Sequence, residues 1–89
     1  MVVGGTPAAN VVFIGDDKIR VASTNIYTLE NATDVEFVIE DPKNLVKLQS
    51  TNNICTIVAN ENNKLGTFIL RAFYNGNIYS KTIQVVSLW

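Results

Sequence analysis

The groups in this chain that can react or ligate are eight carboxylates, one thiol and scattered hydroxyls and amines, with no histidine. The lack of histidine removes the commonest general base and the commonest metal ligand together. Glu36 and Glu40 are the best-spaced carboxylate pair. Four residues apart on a strand, their Cα atoms stand about 13 Å apart, whereas a glycosidase pair holds its carboxyls about 5–10 Å apart. The pair therefore reads as a solvated strand face. Asp16 and Asp17, with Glu30 and Asp34 elsewhere, carry oxygens suited to calcium, but no Asp-x-Asp-x-Asp loop is present. Asp16-Asp17 reads instead as turn chemistry. Ser80 and Lys81 are adjacent, so on a strand they point to opposite faces and cannot act on one substrate.

Cys55 is the single cysteine, so no internal disulfide can form and no zinc ligand set exists. It lies in Ile54-Cys55-Thr56-Ile57-Val58, which alternates like a buried strand. A thiol there reads as a small core hydrophobe, with no histidine and no helix N-terminus to lower its pKa. No catalytic set, metal site or cofactor is expected, and the chain reads as a non-enzyme.

The remaining chemistry is that of surfaces. Tyr27, Phe73, Tyr74, Tyr79 and Trp89 are the aromatics expected to reach solvent, where rings stack on sugars and anchor interfaces. Tyr74 and Tyr79 flank Asn75-Gly76, so Tyr74, Asn75 and Tyr79 form the candidate ligand-binding site, with cross-strand packing as the competing reading. Trp89 is expected to pack on the sheet as a terminal plug. Asn31-Ala32-Thr33 matches a glycosylation sequon, a short pattern that arises by chance in a chain this rich in asparagine.

Elements must hold these residues in place. With 89 residues the chain suits one domain. A 47% hydrophobic and 17% charged composition is that of a globular chain. The net charge of −1 leaves no basic surplus for phosphates, so neither nucleic acid nor an anionic membrane surface is an expected partner. The start, Met1-Val2-Val3-Gly4-Gly5, lacks a positive region and is broken by glycines, so it does not read as a signal peptide. No stretch is long enough to span a bilayer as a helix.

Helical periodicity is absent, and short β-branched and aromatic runs alternate with Asn, Asp and Gly. Residues 1–10 read as a frayed segment. Strands are expected at 11–14, 19–22, 26–29, 35–40, 45–49, 54–59, 66–74 and 78–88, roughly seven in a sandwich, with a partly open barrel as the alternative. Val35, Phe37 and Ile39 share one face of their strand and Glu36 and Glu40 the other, the pattern of an antiparallel sheet with one wet side. Asp41-Pro42 ends that strand. Cys55, Ile57 and Ala59 point inward, as do Phe68, Leu70, Ala72, Ile83 and Val85. Asn75-Gly76 supplies the two positive-φ residues of a type I′ turn and makes 66–74 and 78–88 a hairpin.

Three segments carry a resemblance: Cys55-Thr56-Ile57-Val58-Ala59, Gly66-Thr67-Phe68-Ile69-Leu70-Arg71-Ala72, and Lys81-Thr82-Ile83-Gln84-Val85-Val86-Ser87-Leu88-Trp89. This ending resembles that of a bacterial immunoglobulin-like (Big_2-like) domain of the kind appended to tailed-phage tail and minor structural proteins. The resemblance implies an immunoglobulin-like antiparallel β-sandwich over residues 11–89 and no catalytic residue. Phe37 stands where the group often has Trp, and Phe68 stands where it often has a tyrosine hydroxyl.

The resemblance further implies a phage virion accessory domain, on tail or capsid, that aids weak attachment to host cell-surface carbohydrate. Its partners would be other virion or cell-surface proteins and that carbohydrate. The alternative is a spacer or ligand-binding module of an adhesin on the bacterial cell surface. An adhesin would show tandem repeats and a secretion signal, and the Ser87-Leu88-Trp89 ending reads as a C-terminus, which favours the virion case.

Overall fold

A computed structural model describes residues Asn10–Leu88, and the expectations for residues 1–9 and for Trp89 lie outside the described residues. Eight strands are present: β1 (Val12–Ile14), β2 (Lys18–Arg20), β3 (Thr24–Glu30), β4 (Glu36–Glu40), β5 (Val46–Thr51), β6 (Ile54–Ala59), β7 (Gly66–Tyr74) and β8 (Asn77–Val86). They form two four-stranded sheets, in the orders β1-β3-β6-β5 and β2-β8-β7-β4.

Sequence alternation sets what each sheet buries. Tyr27 and Leu29 of β3, Cys55, Ile57 and Ala59 of β6, and Phe68, Leu70 and Ala72 of β7 all face the core. Phe37 of β4 and Ile83 and Val85 of β8 join them, and no polar or charged residue among the described ones is buried. Phe37 meets Phe13 with ring centroids 6.2 Å apart, a tilted pair within the range that aromatic rings favour. The core is thus the inner face of both sheets, and nearly all of it is aliphatic or aromatic.

The hairpin forms as expected. Tyr74 pairs with Asn77 and Gly66 with Val85, around Asn75 and Gly76 at φ 52° and 80°, the backbone of a type I′ turn.

The first third of the chain departs from expectation in three ways. The described residues form eight strands rather than roughly seven, with β1 and β2 in different sheets. The sandwich is not wholly antiparallel: β2 runs parallel to β8, with Ile19 opposite Val85. The chain crosses between sheets without reversing, and this produces the parallel pair.

The third departure is at Ala22, which is not in a strand. Its φ is 61°, and its amide donates to the Asn60 carbonyl at 2.8 Å. Left-handed backbone costs an L-residue roughly 1–2 kcal/mol. Ala22→Gly is therefore expected to stabilise the domain by about 0.5–1 kcal/mol after the loss of unfolded-state entropy is offset. A urea midpoint that falls in this variant would contradict that.

The crossing centres on Gly15, whose φ is 151°. There the backbone passes against the ring of Tyr27, which is fully buried. The expectation that Tyr27 reaches solvent is corrected here: its position on β3 points inward, and its hydroxyl donates to the Asp16 carbonyl at 2.7 Å. The Gln84 amide donates to the Asp17 carbonyl at 2.8 Å, and Lys81 pairs with the Asp17 carboxylate at 3.1 Å. Phe68 is buried in β7, so Tyr27 provides the one buried phenol that anchors the chain.

Letters assigned by connectivity make the first sheet A-B-E-D and the second A′-G-F-C, the strand arrangement of a constant-type immunoglobulin domain with a split first strand. The fold is an immunoglobulin-like β-sandwich.

Candidate functional site

The carboxylates stay apart. Glu36 and Glu40 lie on the outer face of β4, and Glu40 pairs with Arg71 across the sheet at 2.7 Å. Asp17 is engaged with Lys81. Among the described residues, no three His, Cys, Asp or Glu side chains gather as metal ligands would. Ser80 lies opposite Arg71 and Lys81 opposite Leu70, so they face opposite sides of the sheet as adjacent strand residues must. Cys55 is buried, and burial pushes its thiol up from an ordinary 9.0 to about 12. That shift favours the protonated thiol at neutral pH.

Tyr74, Asn75 and Tyr79 share one end of the second sheet. Tyr79 pairs with Ala72 and Tyr74 with Asn77, so both rings lie diagonally on the core-facing side. Both are half-buried against the core, whereas Asn75 is exposed at the turn. The rings therefore pack against the core and are partly exposed at that end.

The loops beside them are tied by asparagine. The Asn52 side chain accepts from the Asp34 amide at 2.8 Å, and the Asn52 carbonyl accepts from the Val35 amide at 2.9 Å. The Asn53 side chain donates to the Leu29 carbonyl at 3.1 Å. These bonds tie the β3–β4 loop to the β5–β6 turn.

Two surfaces have no counterpart in the sequence reading. The outer face of the first sheet carries Val12, Ile14, Ile26, Ile54 and Val58, all exposed. Strand register interleaves them with Thr24, Thr28 and Thr56. The alternation was readable from sequence, but the adjacency of β1, β3 and β6 arises only in the folded sheet.

The second is a cleft of about 440 Å³ at the opposite end, between residues 44–47 and residues 58–64. Asn44, Lys47, Val58, Glu61, Asn62 and Lys64 help to line it. Asn60 joins its walls. Its side-chain nitrogen donates to the Leu45 carbonyl at 2.9 Å and the Lys64 carbonyl at 3.0 Å. Its side-chain oxygen accepts from the Asn62 and Lys64 amides at 3.0 and 2.9 Å. The Asp41 carboxylate holds the other wall, accepting from the Leu45 and Val46 amides at 2.9 and 3.0 Å. Sequence shows two polar loops there, and only the fold brings them together.

No protein-family model matches the chain, and no curated protein matches it. Among solved structures the chain is similar to a chimeric titin Z1Z2 functionalised with an exogenous KLER peptide from decorin. The identity is 12%, over 85% of this chain and 96% of that one, with a TM-score of 0.42.

Proposed function

We propose that the chain is a non-catalytic accessory domain of a phage virion, borne on a tail or capsid-associated protein, that helps hold the particle weakly to host cell-surface carbohydrate. The observation that carries this reading is the grouping at the Asn75-Gly76 turn. Two half-buried tyrosines and an exposed asparagine sit there at a type I′ turn. Aromatic edges and amides are groups that contact sugars without chemistry. The exposed Val12, Ile14, Ile26 and Ile54 face supports the rest of the reading. An apolar patch of that kind marks protein contact, here with a neighbouring virion protein.

The test is an NMR titration of the whole chain with bacterial cell-wall polysaccharide and with intact cells. Shift changes are expected at Tyr74, Asn75, Gly76 and Tyr79 at millimolar sugar, the weak range. No change at those residues would leave a purely structural domain as the better account.

A further inference from the structure

We propose that the cleft between residues 44–47 and 58–64 is a second binding site, and that its ligand is an anionic saccharide. It goes beyond the attachment role above. The β7 strand of nine residues separates this end from Asn75-Gly76, roughly 27–30 Å at the rise of a strand, so one site can fail without the other.

Charge is the first ground. Lys47 and Lys64 line the cleft, and the Lys43 side chain lies beside it over Gly66. Among the described residues, the ion pairs are Arg71–Glu40 and Lys81–Asp17, so none of these three lysines has a carboxylate partner. Glu61 is on the lining, and the Asp41 carboxylate holds one wall. Three lysines against these two carboxylates leave the mouth with a net positive charge in a chain of net charge −1.

Hydrogen bonding is the second ground. The Asn44 and Asn62 side chains line the cleft and are spent on no bond within the described residues. Each offers a donor and an acceptor together, which neighbouring hydroxyls of a sugar satisfy and a bare inorganic anion does not. Val58, 39% exposed, provides an apolar surface on the same lining for the non-polar side of a ring.

Preorganisation is the third ground. Asn60 and Asp41 fix both walls through six hydrogen bonds to backbone groups. A site already shaped avoids the ordering cost of binding. Its volume of about 440 Å³ lies within the range of small-molecule sites, roughly 300–1,000 Å³.

The experiment is a ¹H–¹⁵N NMR titration of the full chain at constant ionic strength with four probes: trigalacturonate, glucose 6-phosphate, maltotriose and inorganic phosphate. Shifts at Asn44, Lys47, Asn62 and Lys64 are expected with an anionic sugar, saturating at millimolar concentration. The two anionic arms tell a carboxylate ligand from a phosphate one. Lys47→Gln with Lys64→Gln should weaken binding about tenfold or more and leave the remaining spectrum unchanged, since both side chains are exposed.

Three results would overturn the proposal. They are silence at the cleft with both anionic sugars, an equal response to maltotriose or inorganic phosphate, and full affinity in the double variant. Shifts at Tyr74 and Tyr79 with a silent cleft would refute this site and leave the attachment role standing.

Discussion

Gly15→Ala is expected to cost about 3–5 kcal/mol, from the sum of a forbidden backbone and an overpacked ring. At φ 151° the residue occupies backbone that side chains rarely adopt. A Cβ built there would stand 2.0 Å from the Cδ2 atom of Tyr27 and 2.4 Å from Cε2. The ring cannot retreat. It is fully buried between the sheets, and its hydroxyl is held by the Asp16 carbonyl only one residue further on. Relief must come from moving the crossing itself, which would pull β2 from β8.

Total stability for a domain of this size is of order 5–10 kcal/mol, so the variant should be largely lost from the folded state in mild urea. Gly76→Ala is the control. It too has positive φ, at 80°, but nothing lies within 4 Å of its added Cβ. It should cost only about 1–2 kcal/mol. Urea unfolding followed by tyrosine fluorescence measures both. Equal midpoints for the two variants would show that the Tyr27 contact contributes nothing.

Such a site shows where sequence reading succeeds and where it stops. The β7–β8 hairpin was legible because its information is local: Asn75-Gly76 specifies the turn, and alternation in Phe68-Ile69-Leu70-Arg71-Ala72 specifies the face. The inward sets of β4 and β6 followed from the same period of two. Gly15 looked like any turn glycine, because its special demand comes from a ring on β3.

Tyr27 was misjudged for a related reason. A tyrosine on a strand is equally suited to surface or core until an acceptor for its hydroxyl is known, and that acceptor is a backbone carbonyl of the crossing. Ala22 carried no signal, since nothing about alanine announces positive φ. The asparagines at 31, 44, 52, 63 and 75 do take positive φ, as their type allows. That Asn60 joins two loops was hidden: its bonds to Asn62 and Lys64 are local, but its bond to the Leu45 carbonyl reaches a segment that meets it only in the folded chain. The turn puts the candidate residues Tyr74, Asn75 and Tyr79 at one end of the sheet, while the half-burial of the rings depends on packing against the core.

The stability of the domain should be level from neutral pH to about pH 9 and then fall steeply, by about 4 kcal/mol at about pH 11. Two buried acids produce the fall. Burial raises the Cys55 thiol from 9.0 to about 12. Burial first, and then the nearby Asp16 carboxylate, raises the Tyr27 phenol well above its ordinary 10.0. Both groups are neutral when protonated, so the folded chain retains protons that the unfolded chain has already released. Stability is therefore complete below the unfolded values and declines as pH rises past them, at up to about 1.4 kcal/mol per pH unit for each group. The thiol acts from about pH 9 and the phenol from about pH 10.

Surface pairs do not compete with this. The Asp17 partner of Lys81 is 78% exposed, and such pairs contribute about 0–1 kcal/mol. Thermal midpoints taken from pH 7 to 11 give the profile, and two variants divide it. Cys55→Ala should delay the onset to about pH 10, and Tyr27→Phe should keep the onset at about pH 9 but halve the later slope. Tyr27→Phe also loses the bond to the Asp16 carbonyl, about 1 kcal/mol at every pH. A level profile to pH 11 in the unaltered chain would mean that water reaches both groups. The sealed contact between the Gly15 crossing and β3, on which the first prediction depends, would then be wrong as well.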